Sequence, residues 1–101
     1  MNTFGLSDAQ FKLLTDIVIS PLKDKGVEVF VFGSRARGNH HPFSDIDLFF
    51  LDNSEKLTSA DVSKIKEAAE ESTLAITVDL VNKTDLAKSY LEKIEIEKVQ
   101  V

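Results

Sequence analysis

The sequence predicts an α/β domain in which helices flank a small mixed β-sheet of three or more strands. Three segments carry apolar residues at helical spacing, and three other segments are short runs rich in β-branched and aromatic residues. The two kinds of segment alternate along the chain, which is typical of a sheet covered by helices. Because the second strand can pair with the first without a full crossover helix, a mixed sheet is favoured over a purely parallel one.

Length and composition limit the chain to a single domain spanning residues 1–101, enough for one hydrophobic core. The absence of cysteine excludes disulfides and thiolate metal sites. There is no signal peptide after Met1 and no apolar run of about 18 residues, so we expect a cytoplasmic protein without a membrane segment. The net charge of −5 disfavours general nucleic-acid binding.

The first helix is predicted to begin at about Asp8, because Ser7 and Gln10 have the spacing of a capping box. Its apolar face consists of Phe11, Leu14, Val18 and Leu22, with Leu13 and Ile17 alongside. Pro21 lacks an amide and crowds the preceding turn. It therefore either ends this helix or caps a short second turn that runs to Lys25.

The remaining elements follow from periodicity and turn residues. The predicted strands are Val27–Phe32, Ile46–Leu51 and Leu74–Val81. The polar residues Asp52, Asn53 and Ser54 are expected to form the turn that ends the second strand. An amphipathic helix is predicted from Thr58 or Ser59 to about Ser72. A last helix is predicted from about Thr84, with a buried side formed by Leu86, Tyr90, Leu91 and Ile94.

A glycine turn after the first strand is the most informative stretch of the chain. Gly33 and Ser34 form the turn, and the only two arginines, Arg35 and Arg37, follow in a short predicted helix. Backbone amides at a helix start, together with a hydroxyl, are suited to hold phosphate. Guanidinium groups also suit phosphate, although one arginine could instead pair with a carboxylate and fix the loop. The turn therefore predicts a triphosphate site at these four residues.

Two carboxylates stand on alternate positions at the start of the second strand. Asp45 and Asp47 point to one face, while Ile46 and Leu48 point to the opposite face and the core. Adjacent carboxylates repel one another unless a cation lies between them. Oxygen ligands of this kind suit Mg²⁺ or Mn²⁺ together with the phosphates of a substrate. The alternative is that Ser44 and Asp45 form a turn and that Asp47 is solvated.

A third carboxylate, Asp79, lies in the otherwise apolar third strand. Burying a lone charge there is unfavourable without a partner or a metal, and Asp79 shares a face with Thr77 and Val81. If this is also the face of Asp45 and Asp47, the three carboxylates converge and could hold two metal ions. One ion would bind the triphosphate, and the other would lower the pKa of an attacking hydroxyl. The alternative is an exposed aspartate on an edge strand.

Together these residues resemble a known signature. The pattern is a glycine turn, ten intervening residues, two aspartates one residue apart and a later strand aspartate: Gly33-Ser34, Asp45, Asp47 and Asp79. It is similar to that of the DNA polymerase β-like nucleotidyltransferase superfamily, and the small size resembles its minimal nucleotidyltransferase (MNT) domain proteins. The resemblance implies the nucleotidyltransferase fold, triphosphate binding by Gly33 and Ser34, and catalysis with bound Mg²⁺ at the three aspartates.

The same resemblance implies a partner and a reaction. Minimal members are often paired with HEPN-domain proteins, which are RNase-type toxins, and some act as antitoxins that transfer AMP from ATP to a tyrosine of the toxin. ATP, a HEPN-domain partner and either a hetero-oligomer or a homodimer are therefore implied here. The chain lacks the further domain that contacts base and acceptor in larger relatives. The alternative function is a non-catalytic antitoxin, or a nucleotide-sensing subunit, that neutralises its partner sterically.

Other candidate residues carry less weight. His40 and His41 could bind a metal or phosphate, but paired histidines in a polar loop are more often solvated. Some apolar and aromatic residues near the carboxyl end belong either to the core or to an interface: Tyr90, Ile96, Val99 and Val101.

Overall fold

The computed structural model describes residues 3–41, 44–51 and 56–101, apart from the side chain of Tyr90. The predicted turn at residues 52–54 and the predicted burial of Tyr90 therefore lie outside the described residues. The described helices are α1 (Asp8–Leu14), α2 (Ser20–Asp24), α3 (Ser34–Arg37), α4 (Ser59–Glu71) and α5 (Lys88–Glu97). The described strands are β1 (Glu28–Phe32), β2 (Ile46–Leu51), β3 (Val78–Asn82) and β4 (Val99–Gln100). Within these ranges no helix is both long and apolar enough to cross a membrane.

An almost unbroken helical segment precedes the sheet. The Gln10 amide donates to Ser7 Oγ at 3.1 Å, and the Ser7 amide donates to Gln10 Oε1 at 2.9 Å, so the predicted capping box begins α1. A π-helical turn, Thr15–Ile19, joins α1 to α2. Pro21 lies in the first turn of α2, directly after the π-helical turn, in which the Ser20 amide donates to the Thr15 carbonyl five residues earlier. The helical path therefore continues through Pro21 to Asp24, which is the second of the two predicted alternatives.

The sheet is mixed, as predicted, with strand order β3-β2-β1-β4. β1 runs antiparallel to β2 and β4, whereas β2 runs parallel to β3. Helix α4 provides the crossover that a parallel pair requires. The sequence does not predict β4, because two residues are too few for a periodic pattern. It is recognised only through its pairing with β1, in which Val31 faces Val99.

Two predicted boundaries are wrong by several residues. β3 begins at Val78 rather than Leu74, because its ladder with β2 starts at the pair of Ile46 and Val78. The alternating apolar residues before Val78 form no strand, because β2 does not extend alongside them. The last helix begins after Thr84, whose amide donates to Asn82 Oδ1 at 3.1 Å and lies in a short 3₁₀ turn. Polar turn residues and helix starts share the same chemistry, so the sequence does not separate them.

The core consists of two clusters on opposite faces of the sheet. The larger cluster packs one face against α1, α2 and α4, with buried members that include Leu14, Leu22, Val29, Ile46, Leu48 and Ile65. The smaller cluster packs the other face against α5 and consists of Phe30, Phe32, Phe49 and Ile94. Phe30 and Phe49 stack with ring centroids 4.9 Å apart. By the alternation of β2, this second face also carries Asp47.

The apolar residues at the carboxyl end divide between core and surface. Val99 and Val101 pack against the larger cluster, and the Val101 amide donates to the Val29 carbonyl at 3.0 Å. Ile96 is 89% exposed and does not belong to the core.

Candidate active site

Gly33 occupies a position that only glycine fits well. Its φ of +77° lies in the region that L side chains rarely adopt. A Cβ placed there would also collide with the carboxylate of Asp47. The end of β1 is therefore pressed against that carboxylate, so the glycine turn and the second strand form one site. Ser34 follows as the first residue of α3, and its side chain is partly buried.

Asp47 and Asp79 are partners in the parallel pair of β2 and β3. Burial raises the pKa of Asp47 to about 6, aided by the charges of Asp79 and Asp45 and by a side-chain hydrogen bond with Asp79, while Arg37 opposes the rise. Two carboxyl groups can share a hydrogen bond only when one of them carries a proton. Without a cation, the pair therefore holds more negative charge than its surroundings neutralise.

The predicted convergence of three carboxylates is only partly realised. The structure joins Asp47 to Asp79, whereas Asp45 is exposed just before β2 and influences Asp47 through its charge. In the ranges that are described, no three Asp, Glu, His or Cys side chains form a metal-binding group. Two adjacent carboxylates nevertheless fit Mg²⁺, which commonly binds one or two carboxylates and completes its shell with water and substrate phosphates.

Asp79 does not owe its significance to burial. It is exposed, and β3 is an edge strand of the sheet. The position of Asp79 is therefore the predicted alternative, an exposed aspartate on an edge strand. What distinguishes Asp79 is its register opposite Asp47, a property that the sequence pattern cannot supply.

Helix α3 is a single turn of four residues. A helix this short sums few peptide dipoles, so its macrodipole adds little to anion binding. The individual donors matter more, because amides at a helix start have no partner within the helix. The turn amides, the Ser34 hydroxyl and Arg37 are accordingly the groups suited to phosphate.

Arg35 is buried, with 2% of its surface exposed. Its Nε and Nη2 donate to the Ser44 carbonyl at 3.1 and 2.9 Å, and its Nη1 donates to the Phe4 carbonyl at 2.8 Å. Burial lowers the pKa of Arg35, and the nearby Asp45 opposes that change. We therefore assign Arg35 to fixing the loop before β2, in place of the predicted nucleotide contact. The alternative that one arginine fixes the loop is correct in kind, although the acceptors are carbonyl oxygens.

Arg37 lies at the site together with Glu97, the last residue of α5. Arg37 Nη1 donates to Glu97 Oε2 and the Gly33 amide donates to Glu97 Oε1, each at 2.9 Å. Burial alone would raise the pKa of Glu97, but the hydrogen bonds from Arg37 and Gly33 outweigh it and hold that pKa below its ordinary value. The sequence gives no signal for Glu97, because it is one of several glutamates in a charged helix.

The two histidines lie in the loop that Arg35 fixes. The His41 amide donates to Ser44 Oγ at 2.8 Å, and the side chain of His41 is exposed. His40 packs against Gly5 in the amino-terminal turn. Neither histidine belongs to a group of three potential metal ligands in the described part of the chain.

Comparison with known proteins gives a family match that spans the site. A family model described as a nucleotidyltransferase domain matches residues 13–101, a span that contains the glycine turn and all three aspartates. No curated protein gives a significant match.

Solved structures of toxin–antitoxin complexes share the fold. A toxin–antitoxin structure with AMP-PNP aligns with a TM-score of 0.63 at 24% identity, covering 84% of this chain and 69% of that chain. A mutant of the MntA-HpeT toxin–antitoxin aligns with a TM-score of 0.63 at 22% identity, with the same coverage. A second MntA-HpeT mutant aligns with a TM-score of 0.60 at 24% identity, covering 95% of this chain and 72% of that chain.

Proposed function

Because the chain belongs to the nucleotidyltransferase domain family, we propose that it transfers AMP from ATP to a HEPN-type toxin and so acts as a cytoplasmic antitoxin. The observation that carries this proposal is the Gly33 turn pressed against the carboxylate of Asp47, which is itself the register partner of Asp79. A glycine turn suited to phosphate, beside two adjacent carboxylates, fits metal-dependent phosphoryl chemistry. The likeness to toxin–antitoxin structures, one of them with the ATP analogue AMP-PNP, supports the choice of partner and nucleotide.

The phosphate side of the reaction falls to the glycine turn. The turn amides and the Ser34 hydroxyl bind the β and γ phosphates, and Arg37 adds a charged donor. Asp45, Asp47 and Asp79 hold Mg²⁺, as one ion or two, which when bound neutralises phosphate charge and lowers the pKa of the acceptor hydroxyl. Positioning and charge stabilisation, rather than covalent chemistry by the protein, then promote transfer.

Asp79 is the residue that acts on the acceptor hydroxyl. Its exposed position on the edge strand leaves it open to a hydroxyl group of a partner protein. Asp79 takes the proton of that hydroxyl as the acceptor oxygen bonds to the α-phosphorus. The bond from the α-phosphorus to the bridging oxygen breaks, and pyrophosphate leaves. The partner thereby supplies both the acceptor and the missing wall of the pocket.

Intact mass spectrometry of the partner tests this proposal. The chain is purified with the product of its neighbouring gene and incubated with ATP and Mg²⁺. We expect adenylyl mass gains on the partner, and we expect Asp45→Asn and Asp47→Asn to slow them by about a hundredfold, because each removes a metal ligand. Asp24→Asn, an exposed aspartate at the end of α2, is the matched control and should transfer normally.

The steric alternative makes the opposite prediction. If the partner's mass stays unchanged while Asp45→Asn and Asp47→Asn still neutralise the toxin fully, the enzymatic proposal is wrong. A non-catalytic antitoxin would then explain the result.

A further inference from the structure

The carboxylate of Glu97 occupies two donors of the candidate phosphate site. Its Oε1 accepts from the Gly33 amide and its Oε2 accepts from Arg37 Nη1, each at 2.9 Å. Only 10% of the Glu97 side chain is exposed. Glu97 lies 64 positions along the chain from Gly33 and 60 from Arg37. The fold, rather than local chain geometry, therefore brings these residues together.

An amide and a guanidinium are also the donors that a phosphate oxygen takes. If Glu97 stayed in place, a triphosphate arriving at Gly33 and Arg37 would find both donors used. The triphosphate would also contact the negative charge of Glu97, whose side chain is largely buried. Like charges repel strongly where water is largely excluded. Nucleotide phosphate and the Glu97 carboxylate therefore exclude one another at this position.

We propose that Glu97 is a built-in competitor for the nucleotide phosphate, which holds the empty site closed until ATP displaces it. This inference rests on the proposed function and adds a regulatory contact to it. Because the buried Ile94 anchors the backbone of α5, we expect displacement to proceed by rotation of the Glu97 side chain. Lys93, one turn earlier and exposed, attracts the Glu97 carboxylate and offers it a partner at the surface.

Calorimetric titration with ATP and Mg²⁺ tests the competition. Glu97→Gln keeps the size of the side chain and removes its charge, so we expect ATP to bind about three- to tenfold more tightly. Glu95→Gln is the matched control, since it makes the same charge change on the same helix, where Glu95 pairs with Lys83 and Lys98. Its affinity for ATP should equal that of the unmutated chain, and thermal unfolding checks that both variants fold.

The sign of the effect separates the possible outcomes. Weaker or unchanged binding by Glu97→Gln would overturn the inference, make Glu97 a brace for the Gly33 turn and leave the proposed function intact. Equal tightening in both variants would overturn it too, because net charge alone would then explain the gain. If neither the folded variants nor the unmutated chain binds ATP, the inference is wrong, and the mass spectrometry of the complex decides the proposed function separately.

A second measurement needs no substitution. The side-chain carboxyl carbon of Glu97 is followed by ¹³C NMR in the unmutated chain as AMP-PNP and Mg²⁺ are added. We expect its resonance to move as the bonds to Gly33 and Arg37 break. An unmoved resonance, at nucleotide concentrations that shift the Gly33 amide, would show that Glu97 stays in place and would overturn the inference.

Discussion

Asp47 connects the electrostatics of the site to the stability of the protein. Its carboxylate lies against Gly33, shares a hydrogen bond with Asp79 and feels the charge of Asp45. Arg37 offsets only part of this negative charge, because Arg37 is itself paired with Glu97. The concentration of carboxylates thus destabilises the metal-free fold, a cost that is common at functional sites and that the proposed cation would relieve.

The metal-free protein should lose stability as pH rises from about 4 to about 6. The pKa of Asp47 rises from 3.8 in the unfolded chain to about 6 in the fold. Between these values the folded protein holds a proton that the unfolded chain has lost, so stability falls through this window and the loss is complete above it. Since Asp47 is only partly buried, we expect a loss of about 1 kcal/mol after solvent screening. Urea unfolding in a chelator, below and above the window, measures it.

The control for this prediction is a comparison between proteins, because the pH dependence of stability in a single protein contains contributions from several groups. Asp61, Glu95 and Glu97 have lowered pKa values and make stability rise with pH, so the useful quantity is the difference between two proteins. Asp47→Asn should remove the loss and be more stable than the unmutated chain above pH 6, whereas Asp24→Asn should not. A constant difference between Asp47→Asn and the unmutated chain across the window would contradict the assignment.

Helices and strands could be predicted wherever their own residues show the apolar periodicity and the turn or capping residues of that element. The capping box of α1, the strands β1 and β2, and helix α4 lie where periodicity and turn chemistry place them. The start of β3 and the whole of β4 depend on which strand lies alongside, which a single segment does not encode. The roles of the two arginines could not be told apart from the sequence for a similar reason. Arg35 and Arg37 are two residues apart on one turn, and only the path of the chain past Phe4 and Ser44 separates their roles.

Arg35 should matter far more to stability than Arg37 does. Arg35→Lys loses the planar fork that serves two carbonyl groups and leaves a buried acceptor unsatisfied, so we expect a loss of about 2 kcal/mol. Arg37→Lys alters a partly exposed ion pair and should cost less than about 1 kcal/mol. Urea unfolding of the two variants provides the comparison. Equal losses would show that Arg35 does not fix the loop through its guanidinium group.

At the level of the whole molecule, the two faces of the sheet pack against different helices and differ in the size of their buried clusters. The larger cluster joins α1, α2 and α4 to one face and provides most of the buried apolar surface. Among the described residues the smaller cluster has four buried members, and it holds α5 on the face that carries Asp47. The position of Glu97 at the end of α5 therefore depends on the smaller of the two clusters. Hydrophobic pattern alone predicts buried residues, but it does not assign them to faces.

Ile94→Ala and Leu14→Ala should destabilise the protein to a similar extent but in different places. Both side chains are almost fully buried, and truncating such a residue to alanine costs about 2–5 kcal/mol. Ile94 is the buried anchor that joins α5 to the aromatic cluster, so its loss should let α5 open separately and raise hydrogen exchange at residues 88–97 more than in β1 and β2. Leu14→Ala should instead lower protection in β1 and β2 together with α5, because the larger cluster supports the sheet itself. If α5 and the central strands lose protection equally in Ile94→Ala, α5 opens together with the central strands as one cooperative unit. The prediction that the smaller cluster supports α5 separately is then wrong.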